Sequence, residues 1–126
     1  MVELTPKSVF DCFAQINQVP RPSKREEKIT AFLRKFGEDL GLETIVDHAG
    51  NVLIKKPATP GYENRKGVIL QAHMDMVPQK SPDSNHNFET DPIETHITDG
   101  WVYANNTTLG ADNGAGVAAI MGVMED

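Results

Sequence analysis

The run Gly67-Val68-Ile69-Leu70-Gln71-Ala72 ends at His73, and it constrains the fold more than any other stretch of the chain. A continuous apolar segment closed by a polar residue predicts a strand covered on both faces. The ends of such strands are where open α/β sheets carry their chemistry. The expectation is therefore an α/β fold, a mixed β-sheet flanked by helices, with His73 at the C-terminal end of a buried strand.

The flanking sequence supplies the other elements. Thr5-Pro6 predicts a helix start, with the hydroxyl as N-cap and proline at the first helical position. Val9, Phe10, Phe13 and Ile16 follow at helical spacing until Pro20 and Pro22. Ser23 and Glu26 form a capping-box pattern for a second helix, whose apolar stripe is Ile29, Phe32, Leu33, Phe36 and Leu40 and whose stop is Gly41. The period then changes to two, and residues 44–47 and 52–55 read as a hairpin turning at Ala49-Gly50-Asn51. Residues 79–92 form a polar loop long enough to be functional or partly mobile. Residues 93–97 and 101–104 flank Asp99-Gly100, a short-hairpin signal, with Trp101 and Tyr103 covering the sheet from one hairpin face. Residues 114–124, rich in Gly and Ala, predict a last helix packed beneath the site.

Composition narrows the function. A chain of 126 residues fits one compact domain. Its net charge of -6 argues against a nucleic-acid footprint, and the basic residues between Arg21 and Lys35 alternate with Glu26 and Glu27 as on a solvated helix face. No apolar run reaches the length of about 18 residues that a membrane span needs. Residues 1–6 show no basic segment followed by an apolar stretch, so no secretory leader is expected and the cytoplasm is favoured. The lone Cys12 cannot form an internal disulfide and reads as a small buried side chain.

Two groups carry the candidate chemistry. In a pleated strand His73 and Asp75 point to one side and Met74 and Met76 to the other. Metal-bound histidines commonly donate their second ring N–H to a carboxylate, which is the place Asp75 would take. The plainer reading is a histidine satisfied by a nearby carboxylate. Asp112, in Thr107-Thr108-Leu109-Gly110-Ala111-Asp112-Asn113-Gly114, has two oxygens with which to bridge two cations, as hydrolases use to activate water. Its plainer reading is the N-cap of the helix that follows. Gly110, Gly114 and Gly116 suggest a backbone freed to approach something closely, with Thr107 and Thr108 adding hydroxyls. Gly114-Ala115-Gly116-Val117-Ala118-Ala119 also matches a dinucleotide-binding pattern, so a small non-catalytic metal- or nucleotide-binding module stands as the alternative. His48, His86 and His96 read as exposed or turn residues rather than ligands.

The motifs Val68-Ile69-Leu70-Gln71-Ala72-His73-Met74-Asp75-Met76-Val77-Pro78 and Thr107-Thr108-Leu109-Gly110-Ala111-Asp112-Asn113-Gly114 resemble those of the aminoacyl-histidine dipeptidases, also called Xaa-His or cytosol non-specific dipeptidases. The likeness extends from Gln18-Val19-Pro20-Arg21-Pro22-Ser23 to the final helix. These enzymes belong to the di-zinc aminoacylase and carboxypeptidase superfamily. The resemblance implies that His73 ligates one metal, that Asp75 is the catalytic-site carboxylate that orients His73, and that Asp112 bridges both metals. It implies two zinc ions per complete site, with manganese or cobalt as alternatives, and a dipeptide substrate. It implies a cis peptide between Asp112 and Asn113. Asn106 stands where the family usually has glycine. The family's paired glutamates, one of them the general base, lie downstream of the matched motifs, as do its remaining ligands and a lid domain used for homodimerisation. On this reading the chain is the N-terminal part of a zinc-peptidase catalytic domain, a truncated piece without hydrolytic activity of its own.

Overall fold

The computed structural model describes residues 4–126. Residues 1–3, on which the expectation of no leader partly rests, lie outside the described residues. The order of elements is α1 (Lys7–Asn17), α2 (Glu27–Asp39), β1 (Glu43–Val46), β2 (Val52–Lys55), β3 (Thr95–Thr98), β4 (Trp101–Ala104) and α3 (Ala111–Glu125). Among these residues no helix is long and apolar enough to cross a membrane.

Three helices build the core. Cys12, Phe13 and Ile16 of α1 meet Ile29 and Leu33 of α2 and Val117, Ala118 and Met121 of α3. Each set recurs at three- and four-residue spacing; α1 and α2 each turn one apolar stripe inward, while α3, apolar around most of its surface, packs chiefly on α1. The small residues of α3 let it lie close to α1. Burial, with a hydrogen bond to Glu125 at 3.4 Å, pushes the Cys12 thiol up to about 12, so this side chain is core material.

Two helix starts differ from expectation. α1 begins at Lys7 with Pro6 as N-cap and no side-chain cap, and the Thr5-Pro6 peptide is cis. α2 begins at Glu27 with Glu26 as cap, so Ser23 lies three residues outside the capping position. Its hydroxyl has another partner, described below. Gly41 ends the second helix region with φ +73, as its sequence position predicts.

The hairpins form as their turns dictate. β1 and β2 pair antiparallel with Thr44 opposite Ile54, and the Asp47 carboxylate accepts the N–H groups of Ala49 and Asn51 at 2.9 and 2.8 Å to close the turn. These bonds, the Asn51 side-chain amide foremost, hold the Asp47 carboxyl below its ordinary value. α2 rests on this hairpin through Gly37, where any Cβ would run into the Thr44 hydroxyl. β3 and β4 pair antiparallel around Asp99-Gly100, both with positive φ, the turn conformation that follows the right-handed strand twist. Trp101 and Tyr103 are exposed rather than laid over a sheet, and Tyr103 stacks on His96 with centroids 5.4 Å apart.

The fold is α/β as expected, but among the described residues the mixed sheet is not present. The described residues hold two separate two-stranded antiparallel sheets, and the parallel pairing among them is the single bridge Pro22 to Met76. The apolar run at residues 67–73 is extended without strand partners, leaving Val68 80% and Ile69 91% exposed. A strand covered on both faces draws its hydrogen bonds from flanking strands, and none lies beside this run among the described residues.

Candidate functional site

Just after the unpaired run the chain becomes anchored. The Met76 N–H donates to the Arg21 carbonyl at 2.9 Å, and the Ser23 N–H donates to the Met76 carbonyl at 3.0 Å. Pro20 and Pro22 favour this pairing, because a residue that precedes proline is driven into extended backbone. Met76 is buried and Met74 packs on the helical core, so the other side of the segment presents His73 and Asp75 together.

His73 stands between two carboxylates. Its Nδ1 lies 3.1 Å from Asp75 Oδ1, and its Nε2 lies 3.0 Å from Asp112 Oδ1. The hydrogen bond to Asp112 leads in raising the His73 pKa above its ordinary value, with Asp75 adding to it. Asp75 is held below its ordinary value, first by the Ser23 hydroxyl, which donates to Oδ2 at 2.5 Å, and then by His73. With both ring nitrogens facing carboxylate oxygens, the protonated ring donates at Nδ1 to Asp75 and at Nε2 to Asp112, whereas a neutral ring that keeps its proton on Nδ1 would have its Nε2 lone pair free for a cation.

Asp112 arrives from a loop rather than a helix cap. Asp112 and Asn113 both have non-helical backbone at the start of α3, and the peptide between them is cis, as the motif resemblance implies. The Asn113 side chain accepts the Gly116 N–H at 3.1 Å, so Asn113 caps the first turn. The Asp112 side chain is 98% exposed and its structural partner is His73. The plainer reading of Asp112 as an N-cap is thereby excluded. Thr108 staples the loop to the neighbouring segment, its hydroxyl donating to the Val77 carbonyl at 2.6 Å and its N–H to the Gln79 carbonyl at 2.8 Å. Asn106 has φ +62, a left-handed conformation that asparagine tolerates, so the departure from glycine preserves the turn.

The loop glycines serve internal packing. A Cβ on Gly110, which has φ +79, would lie 2.5 Å from Arg21 Nη2, and one on Gly114 would lie 3.0 Å from the same atom. At Gly116 a Cβ would strike the Asn113 side chain. The Gly114 N–H donates to the Gly110 carbonyl at 2.9 Å, and that of Gly116 goes to Asn113. These N–H groups are therefore committed, and the geometry offers no phosphate cradle to the nucleotide-binding alternative.

Sequence reasoning missed Arg21 and Ser23. Arg21 is not on a solvated helix face: it is 1% exposed, with Nη2 donating to Asn17 Oδ1 and to the Gly110 carbonyl, both at 3.2 Å. Burial lowers its pKa to about 10, opposed by the Asp75 charge, so it remains a cation at neutral pH. The available signal was Pro20-Arg21-Pro22, which disfavours a helical Arg21. His48 and His96 are exposed and His86 is half-buried. His96 pairs with Asn105, and none of the three joins His73.

An imidazole nitrogen and a carboxylate oxygen that converge on one point are donors suited in kind to zinc or a related cation. They are too few alone. Among the described residues no group of three or more His, Cys, Asp or Glu side chains is arranged to hold a metal ion.

No family model matches the chain. It is 48% identical over 124 residues to the cytosol non-specific dipeptidase of Escherichia coli (strain K12), covering 98% of this chain and 26% of that protein. It superposes on the crystal structure of aminoacylhistidine dipeptidase from Vibrio alginolyticus with a TM-score of 0.94 and 48% identity, over 98% of this chain and 25% of that one. Aminopeptidase PepT from Bacillus cereus ATCC 10987 matches with a TM-score of 0.71 and 27% identity, over 98% of this chain and 32% of that one. The chain thus spans about a quarter of the length of the dipeptidases it matches.

Proposed function

With the chain homologous to cytosol non-specific and aminoacylhistidine dipeptidases along 98% of its length, we propose that it contributes part of the metal centre of a cytoplasmic metallo-dipeptidase that cleaves Xaa-His and other dipeptides. The observation that supports this most is the convergence of His73 Nε2 and Asp112 Oδ1 at 3.0 Å, from two motifs far apart in sequence. His73 is the terminal ligand, Asp112 the bridge, and Asp75 the positioning carboxylate behind His73. Two zinc ions, with manganese or cobalt as alternatives, would supply Lewis-acid polarisation of a peptide carbonyl and a nucleophilic water at neutral pH.

The chain's own residues perform the preparatory part of that chemistry. Asp75 keeps the proton on Nδ1, so the Nε2 lone pair remains available. Asp112, relieved of capping by Asn113, keeps its carboxylate open toward solvent. The general base and the remaining ligands are expected from a longer chain, as is the lid through which a homodimer would form. The test is hydrolysis of an Xaa-His dipeptide with added zinc, by these 126 residues and by a longer form carrying the downstream glutamates. Turnover is expected from the longer form alone. Turnover by the 126 residues would refute the assignment of the base, and its absence from both forms would refute the dipeptidase reading.

A further inference from the structure

The segment between α1 and α2 touches both halves of the site, although none of its side chains is placed to meet a metal. Its backbone brackets Met76 through the two hydrogen bonds of the Pro22 bridge. From that fixed base two side chains diverge. Ser23 Oγ donates to Asp75 Oδ2 at 2.5 Å and lies 3.1 Å from the Met76 carbonyl. Arg21 reaches the opposite way, to the carbonyl of Gly110, two residues before Asp112.

We propose that Arg21 and Ser23 are positioning residues for the candidate metal centre, Ser23 setting the plane of Asp75 and Arg21 setting the height of the Asp112 loop. This rests on the metal-site reading above. A carboxylate with one oxygen on His73 and the other free could rotate about its Cβ–Cγ bond. With Ser23 holding Oδ2 and His73 holding Oδ1, that rotation is stopped and the imidazole ring is held with it. The serine hydroxyl has one proton to give, and the shorter contact assigns it to the carboxylate.

Arg21 carries the second half. Its guanidinium is buried, among the described residues Nε and Nη1 have no hydrogen-bond partner, and the Asp75 charge that favours its cationic form acts without a direct hydrogen bond to it. A buried cation in that state is a burden on folding, and a packing role alone would be met by a neutral side chain. Its geometry supplies the reason for keeping it. Nη2 spans Asn17 on α1 and the Gly110 carbonyl, and both Gly110 and Gly114 lack the Cβ that would collide with it. The guanidinium is a strut between the helical core and the loop that delivers Asp112. Both bonds leave Nη2, which lies one bond farther along the side chain than a lysine Nζ, so lysine would fall short of the two acceptors and would lack the planar group that fills the space beside Gly110 and Gly114.

The experiment uses the complete protein in its metal-free form and two readouts, zinc affinity by competition with a chromophoric chelator and the NMR signal of the His73 Nδ1 proton. Ser23→Ala is expected to weaken zinc binding about 10-fold, the lower end of the usual effect of residues behind a ligand, and to abolish the downfield Nδ1 proton signal. Ser23→Thr is expected to restore both. Arg21→Lys is expected to weaken zinc binding by about the same factor while the Nδ1 proton signal stays, because Asp75 is undisturbed. Native zinc affinity and an intact Nδ1 signal in Ser23→Ala would overturn the Ser23 assignment, as would failure of Ser23→Thr to restore them. Native affinity in Arg21→Lys, or loss of its fold, would overturn the Arg21 assignment. Zinc affinity unchanged by His73→Ala would instead refute the metal-site reading, while the Nδ1 signal of metal-free Ser23→Ala would still judge the positioning role.

Discussion

The helical core and the run at residues 67–73 are both apolar, and the structure treats them in opposite ways. Ile29 and Ala118 are fully buried, whereas Ile69 is 91% exposed. The difference lies in backbone hydrogen bonding. A helix satisfies its interior N–H and C=O groups from its own residues, so α1, α2 and α3 need one another only for their apolar stripes. An extended run needs neighbours on both edges before burial of its side chains becomes favourable. The candidate site lies on the seam between these regions, at the point where residues 21–23 first give the extended segment a partner.

The sharpest way to break this contrast is to truncate one residue from each region in this chain. Ile29→Ala is expected to lower unfolding free energy by about 2 to 5 kcal/mol, the usual result of emptying a packed site. Ile69→Ser is expected to change it by no more than about 0.5 kcal/mol. Urea denaturation compares the two, and similar losses would show that the run is already buried in solution.

A smaller effect tests the seam. Gly110→Ala and Gly61→Ala both place a Cβ at positive φ, each with a left-handed penalty of about 1 to 2 kcal/mol. Gly61 has open space around it, while Gly110 faces Arg21. Thermal unfolding should therefore place Gly110→Ala clearly below Gly61→Ala. Equal melting temperatures would remove the guanidinium from its place against the loop.

The smallest effect is a titration. His73 in metal-free protein should take up its proton at a pH above the ordinary value of 6.5, chiefly through Asp112. The stability this interaction contributes is fully present below that ordinary value and is lost as pH rises through the raised one. Asp75 behaves oppositely: its depressed pKa gives a contribution present above the ordinary carboxylate value and lost as pH falls through the lowered one. Asp112→Ala should move the His73 midpoint down, as followed by NMR. A midpoint that does not move would separate the two motifs in solution.

Local rules made much of this molecule legible. The stripe of α1, that of α2 as far as Phe36, Gly41, Asp99-Gly100 and the cis peptide after Asp112 stand where pattern or resemblance puts them, while Leu40 is the exposed C-cap of α2. Apart from the Thr5 cap, a local reading that the start of α1 does not follow, the readings that failed depend on partners distant in sequence. Ser23 fits a capping box, and nothing nearby reveals that Asp75, 52 residues on, takes its hydroxyl. Gly110 and Gly114 advertise space, but local sequence does not say that Arg21 fills it. The run at 67–73 carries the composition of a central strand, and composition cannot supply the strands beside it.

Asn113 closes the first turn of α3, and the helix therefore does not depend on the side chain before it. Position 112 becomes an exchangeable socket. A histidine, a cysteine or a glutamate installed there would face the same imidazole, each at its own reach, while α3 keeps its start. The loop in that sense separates the identity of the side chain it presents from the start of the helix it leads into.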